Sequence, residues 1–392
     1  MAESNVYVGV VSGVNDRSTY QKITSRDAYS AIVKFACFTK TPFMRVVGAE
    51  GFGVDSMKNA TAFGAAKPTG RMIRRDSGTY AISGSIFAEE ASTYHVGRLG
   101  NFTPEMVEGG DQWIYAWHRL AASEFIPDMD LQDNGKGPIK IRRQKMERIK
   151  STYIRDFSYC VLGNSARPDS GTMGPAQLYA DLPNLISVTQ TTGTAVGGID
   201  RAASATIAGS TVYWWRNAYT ACTSVGGGGE LDRPLVLRRK LLKQMNDVLT
   251  YAEGTGPQDY LLLTTQGFHQ YYDRLQYADG VTTGKGSFGF TSKYDAAGVQ
   301  THAFNGAPMM WDPSVTVPTG ATASTECCYG IHMPNFFLGL RGEESFRWLD
   351  WEKPRNHDAQ RTETALMLTR YTPGVSARRP HWVVYNVPAC PD

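Results

Sequence analysis

The 392-residue chain has no apolar run of about 18 residues, the length a membrane-crossing helix needs, so no span is expected. Its first residues, MAESNVYVGV, lack the charged, apolar and small-residue order of a secretory signal, and a cytoplasmic place of assembly is the simplest reading. A large charge imbalance is missing too. Lys and Arg number 40 against 37 Asp and Glu, a formal net charge of +3, which argues against a protein whose main work is neutralising nucleic acid. The six cysteines (Cys37, Cys160, Cys222, Cys327, Cys328, Cys390) show no paired Cys-x-x-Cys units. A structural zinc site is therefore not expected, and free, mostly buried thiols are.

Signatures of catalysis are equally scarce. There is no Gly-x-Ser-x-Gly elbow and no pair of histidines at helical metal-binding spacing. The four glycines Gly226 to Gly229 lack the Gly-Lys-Ser/Thr ending of a phosphate loop, and Gly51-Phe52-Gly53 lacks the third glycine of a dinucleotide fingerprint. The run DMDLQDNGKG imitates a calcium loop, but with Gly135 at the sixth place the required bidentate acid falls on Ile141. No catalytic, cofactor-binding or metal-ligating residue is nominated.

At this length two packed regions are the default. The least ordinary stretch is Gly197 to Asn217, GGIDRAASATIAGSTVYWWRN, with Asp200 and Arg201 side by side and then Trp214, Trp215, Arg216 and Asn217. If Thr211 to Trp215 is a strand, the two tryptophan rings point to opposite faces. One then enters the subunit core, and the other meets a neighbouring element or chain.

Around it, the chain divides by texture. Residues 1 to about 25 read as an extended arm, followed by a helix through Ala28, Ile32, Val33 and Ala36 and a loop punctuated by Gly48, Gly51 and Gly53. From Gly70 to about Thr103 short alternating segments with thin apolar content read as a two-stranded excursion that must lean on something outside itself. Trp113, Tyr115 and Trp117 alternate along one strand face. Pro138 to Leu162 is the longest helical pattern, with Met146, Ile149, Ile154, Phe157 and Val161 as its stripe and Gly163 as its stop. Its basic remainder is expected to be solvated or paired with acids. A second helix starts at Pro234 with Leu237, Leu241, Met245 and Val248 inward, then a buried strand at Tyr260 to Leu263 and a helix from Thr265. Strands are expected at Val299 to Trp311, Cys327 to Leu340, Phe346 to Trp351, Thr362 to Tyr371 and Arg379 to Val387.

This order of parts, with GGIDR followed by YWWRN and the later DYLLLTTQGFHQYYDRL and FNGAPMMWDPSV segments, resembles the major capsid proteins of tailed bacteriophages, of the Hong Kong 97-type fold. The resemblance implies an α+β chain with an N-terminal arm and short helix (1–69), an extended β-hairpin loop (70–115), a peripheral domain (116–180 and 341–378) that includes the long spine helix 138–162, and an axial domain (181–340 and 379–392). It implies a structural protein without catalysis or cofactor. The chain would self-assemble into hexamers and pentamers of an icosahedral shell around double-stranded DNA, held without sequence-specific contacts. The expected location is the virion, assembled in the bacterial host cytoplasm, with no membrane contact. Portal, a separate scaffolding protein and a decoration protein are the implied partners. The loop implies inter-subunit contacts through Arg74, Arg75, Tyr80, Phe87, Glu89, Glu90 and Tyr94, while Asp200, Arg201, Trp214, Trp215, Arg216 and Asn217 act as structural pins. Some members cross-link a loop lysine, and Arg71 to Thr103 contains none, so that chemistry is not expected. Two alternatives stand beside the shell of a phage: an encapsulin-like nanocompartment shell, and a soluble α+β enzyme with no recognisable motif.

Overall fold

The computed structural model describes residues 29–30, 32–33, 36–37, 42–51, 73–76, 81–87, 110–127, 138–163, 181–191, 195–207, 210–222, 234–249, 256–272, 293–294, 300–318, 320–322, 325–341, 346–352 and 362–387. Helix α1 (Pro42–Gly51) forms where the glycines suggested a loop. Pro42 presets the first turn, and Phe43, Met44 and Val47, spaced to share one face, are all buried. That burial outweighs the cost of Gly48 inside a helix, about 1 kcal/mol against alanine.

Strand β1 (Ile73–Asp76) opens the loop region, and β2 (Ala81–Phe87) pairs antiparallel with β3 (Gly110–Ala116), from Ala81 opposite Ala116 to Phe87 opposite Gly110. The expected excursion is thus a hairpin whose second strand lies beyond Thr103. Trp113 and Tyr115 are buried on its aromatic face and Trp117 is half-buried, at the break before β4 (His118–Pro127). Helix α2 (Pro138–Leu162) has the bounds its periodicity predicts. Gly163 ends it at φ 88°, where its N–H reaches the Tyr159 carbonyl at 2.9 Å. Ile149, Ile154, Phe157 and Val161 are buried, and Tyr153 joins them. Several of its cations are paired, among them Arg142 with Glu363 at 2.6 Å, and both Lys145 and Arg148 with Glu124.

Short elements follow: α3 (Leu182–Leu185), capped by Asp181, and strands β5 (Ala195–Val196), β6 (Ile199–Asp200), β7 (Ala205–Ile207), β8 (Ser210–Val212) and β9 (Ala218–Ala221). Helix α4 (Pro234–Leu249) precedes β10 (Tyr260–Thr264) and a helical run over 266–272. Then come β11 (Lys293–Tyr294), β12 (Gln300–Phe304) and β13 (Ala307–Trp311). The stretch read as one strand from Val299 is therefore a hairpin, β12 to β13. Asn305 and Gly306 turn it, both at positive φ, the signature of a tight asparagine-glycine corner. Strands β14 (Glu326–His332), β15 (Phe336–Arg341), β16 (Arg347–Glu352), β17 (Thr362–Val375) and β18 (Trp382–Val387) complete the chain.

Two sheets organise these strands. In the first, β17 pairs with β4 along ten residues, from Thr362 opposite Pro127 to Tyr371 opposite His118, and also with β16 and β15, while β1 adds parallel to β15. The second has the order β11-β12-β13-β10-β14-β18-β9. Its central strands are covered on both faces, and period-two alternation sorts their residues between two cores. Leu261, Leu263, Met310, Cys327, Tyr329 and Val383 face the large core shared with α2 and the first sheet. Leu262, Met309, Cys328, Trp382 and Val384 face the smaller core under Leu237, Leu241, Met245 and Val248 of α4. The run from Cys327 to Leu340, expected as one strand, is cut by a 3₁₀ turn at Met333–Asn335 and delivers its halves to different sheets. The five described cysteines are all free thiols.

Candidate functional site

The stretch that stood out in the sequence builds a buried polar knot between the two sheets. It begins at the turn between β5 and β6, where Gly197 and Gly198 have φ 61° and 83°. A Cβ on Gly197 would lie 2.9 Å from the Tyr115 ring, so glycine is required twice over, by the backbone and by the neighbour. The Gly197 carbonyl accepts from the Ile114 N–H at 2.8 Å. The Tyr115 hydroxyl in turn donates to the Val375 carbonyl at 3.1 Å. These bonds fasten the root of the β2–β3 hairpin to the end of β17. Asp200 accepts from the Ala202 N–H at 2.8 Å, and Arg201 donates to the carbonyls of Asn184 and Thr189.

The tryptophans correct an expectation. Strand β8 stops at Val212, and Trp214 and Trp215 occupy a turn, so strand alternation does not apply to them. Both are buried in the same core, 7% and 0% exposed, with ring centroids 6.2 Å apart. Neither ring faces outward. Trp215 Nε1 donates to the Val196 carbonyl at 3.1 Å, and the outward aromatics are instead Tyr213 and Tyr219.

Asn217 is the hub. Its Oδ1 accepts from Gln190 Nε2 and Arg378 Nη2, and its Nδ2 donates to the carbonyls of Ser187 and Ala218. That uses both donors and both acceptor positions of the amide. Arg378, fully buried, also donates to the carbonyls of Leu185 at 2.9 Å and Trp215 at 3.0 Å. Burial, and then the nearby Arg201, pull its pKa down to about 9, so it stays cationic at neutral pH. No sequence period marks it: a buried arginine looks like any other until its carbonyls are known.

Two buried histidines sit beside Arg378, at the two points where the chain crosses between the sheets. The His332 N–H donates to His381 Nδ1 at 3.1 Å, and the His381 N–H to the Arg378 carbonyl. Burial pushes the His381 pKa well below the imidazole range, reinforced by His332 and Arg378; burial brings His332 down to about 4, opposed by Asp259. His118, stacked on Tyr371, is likewise lowered to about 4 by burial. Protons therefore prefer the unfolded chain. The stability at stake is complete above about pH 6.5 and is lost as pH falls toward 4 and below, by roughly 2–3 kcal/mol for each of His332 and His118 at pH 4, with His381 acting in the same direction. Asp181 and Asp312, whose pKa values burial raises, act in the opposite sense. His381→Gln should accordingly flatten the fall in the urea midpoint between pH 7 and 4.5 relative to wild type. An unchanged slope would show that His381 does not titrate across folding.

The other nominated residues are dispersed. Arg74 and Arg75 lie on β1 opposite Gly339 and Leu340, and Phe87 on β2 opposite Gly110. Tyr80, Glu89, Glu90 and Tyr94 fall outside the described residues, as does the 128–137 run. Among the described residues no three His, Cys, Asp or Glu side chains gather as a metal site, and no helix is long and apolar enough to cross a membrane.

No protein-family model matches the chain, and no curated protein does. Solved structures do. The capsid of cyanophage A-1(L) aligns over 82% of this chain and 91% of its own, at 11% identity and a TM-score of 0.50. The chain has the fold of a phage capsid protein. The capsid of an empty GTA particle is also similar, over 81% of this chain and 94% of its own at 12% identity and TM-score 0.48. So is the holo-SrpI encapsulin of Synechococcus elongatus PCC 7942, over 71% and 76% at 11% identity and TM-score 0.41. Within the capsid-protein fold the knot is architecture. Most of its polar groups are spent on backbone carbonyls and on each other, which holds the hairpin root, the turn at Gly197 and the crossover at Arg378 in one fixed arrangement.

Proposed function

We propose that the protein is the major capsid protein of a tailed bacteriophage, assembling with itself into hexamers and pentamers of a shell that encloses double-stranded DNA. The observation that carries this reading is the match of 82% of the chain to a phage capsid structure at TM-score 0.50. The hairpin supports it. Its root is locked by Tyr115 and Trp113, while the pair Ser83 and Ile114 between them, and Ser85, Asp111 and Gln112 farther out, are exposed. A hairpin so thinly covered is marginal alone in water, and a neighbouring subunit is the natural cover. The domain division at 116–180 with 341–378, and 181–340 with 379–392, belongs to the same reading, as do a portal, a separate scaffolding protein and a decoration protein as partners, and the virion as location. Shells of this kind multiply many modest contacts, so weak single interfaces suffice. Negative-stain microscopy of the protein co-expressed with its gene neighbours tests the proposal. Closed shells or capsomers are expected, and packaged DNA separates a phage head from an enzyme-filled compartment. A stable monomer under all these conditions would overturn it.

A further inference from the structure

Beside the knot, whose Asn217 forms part of the wall, the molecule has a cavity of about 600 Å³ at the β9 end of the seven-stranded sheet, bounded also by Tyr213, Arg216, Tyr219, Lys243, Asp247 and Arg379. Tyr213 and Tyr219 are 41% and 38% exposed, two of only five large exposed hydrophobics among the described residues. The Arg216 guanidinium stands 5.0 Å from one ring centroid and 6.0 Å from the other. Tyrosine around arginine is the composition of an interface centre rather than of a solvated surface. Three cations against one acid give the cavity a positive field.

Among the described residues no strand pairs with the outer edge of β9. Strand β9 runs parallel to β18, and the N–H groups of Ala218 and Cys222 go to His381 and Tyr385 of that side. In a ladder only alternate residues face a given neighbour, so the main chain of Tyr219 is turned to the outer edge. The Ala221 carbonyl is already taken by Lys240 at 3.0 Å. What fits is an acidic segment lying along the edge at Tyr219, with a carboxylate toward Arg216.

This chain carries such a segment. Between Ala88 and Asp111 it has Glu89, Glu90, Glu105, Glu108 and Asp111 against the single cation Arg98, a net charge of −4 (five acids less one arginine). Residues 88–109 join the outer ends of β2 and β3, and doubled back they reach at most roughly 35 Å past Phe87. We propose that the groove between β9 and α4 receives the acidic segment between β2 and β3 of a second copy of this chain, with Arg216 as its principal cation. The inference rests on the shell reading and adds to it the receiving site.

The test pairs charge reversal with cross-linking. Arg216→Glu is expected to cut the yield of assembled particles at least tenfold with the subunit's thermal midpoint unchanged, and Lys243→Glu, on the exposed side of α4, to cut it more mildly. Adding Glu89→Arg and Glu90→Arg to the Arg216→Glu protein should restore at least half of the yield. Separately, Glu89→Cys and Tyr219→Cys proteins are mixed, assembled and oxidised, and a disulfide-linked dimer is expected only when both are present. Wild-type yield from Arg216→Glu, or absence of the mixed dimer, overturns the groove assignment. So does a bond that forms only within one chain carrying both substitutions. A wild-type protein that yields no shells sinks the shell reading. The groove is then judged by the mixed dimer in the concentrated soluble protein, and its absence there overturns the groove as well.

Discussion

Arg378→Met should lower the unfolding free energy by about 4 kcal/mol or more, because it leaves acceptors buried without a donor, each costing roughly 1–3 kcal/mol. The acceptors are the Leu185 and Trp215 carbonyls and Asn217 Oδ1. Methionine fills the volume but offers no N–H, so the loss isolates hydrogen bonding from cavity formation. Removing a buried cation relieves its desolvation, and that favourable part is why the expected cost is not the full sum of three bonds. Asn217 would keep the bond from Gln190, which softens one of the three. Arg378→Lys keeps the charge but reaches fewer of the splayed acceptors, and an intermediate loss is expected. Urea unfolding at pH 7 gives the comparison. A change below about 1 kcal/mol for Arg378→Met would mean that water replaces the guanidinium, and the knot would not be what holds the sheets in register.

Local order was readable from the residues; the joining of distant parts was not. Helix α2 was legible to the residue because its stripe, its stop at Gly163 and its charges are all within one element. The aromatic alternation at Trp113 and Tyr115 was legible for the same reason. The run through β14 and β15 misled, since Met333–Asn335 interrupts a continuous apolar stretch with only three residues. Pro334 was the available signal, because proline cannot sit in a central strand. The tryptophan pair misled differently. Alternation presumes a strand, and nothing in Tyr213 to Asn217 announces that the ladder ends at Val212. The hub at Asn217 was nominated from its oddity, but its partners Gln190 and Arg378 stand 27 and 161 residues away, a pairing that no local pattern encodes. The inward-pointing arginine was missed for that reason, while Arg216, grouped with the pins, turns outward onto Tyr213.

Shortening the hairpin should abolish assembly while sparing the subunit, and the structure dictates where to cut. A deletion beginning at Arg74 would remove β1, which pairs with β15 in the first sheet, and so would damage the core itself. A deletion reaching Tyr115 would strip the hydroxyl that holds Val375. Gly84 lies opposite Trp113, with the indole close over the glycine, and among the hairpin side chains whose burial is described this is the outermost contact with the buried core. Replacing Ser85 to Gln112 by Asn-Gly joins Gly84 to Trp113 through a two-residue turn suited to the twist of paired strands. The removed strand residues Ser85, Asp111 and Gln112 are exposed, so these three positions lose little burial within the subunit. The thermal midpoint of the subunit is expected to stay within about 4 °C of wild type, the shift that a loss of some 1 kcal/mol would produce in a domain of 150–250 residues. Particles and capsomers should disappear from negative-stain fields at every protein concentration tried. Shells of normal yield from the shortened chain would remove the hairpin from the assembly mechanism. A lost cooperative transition would instead place residues 85–112 in the subunit's own core, and with them the reason for reading this excursion as a reach toward a neighbour.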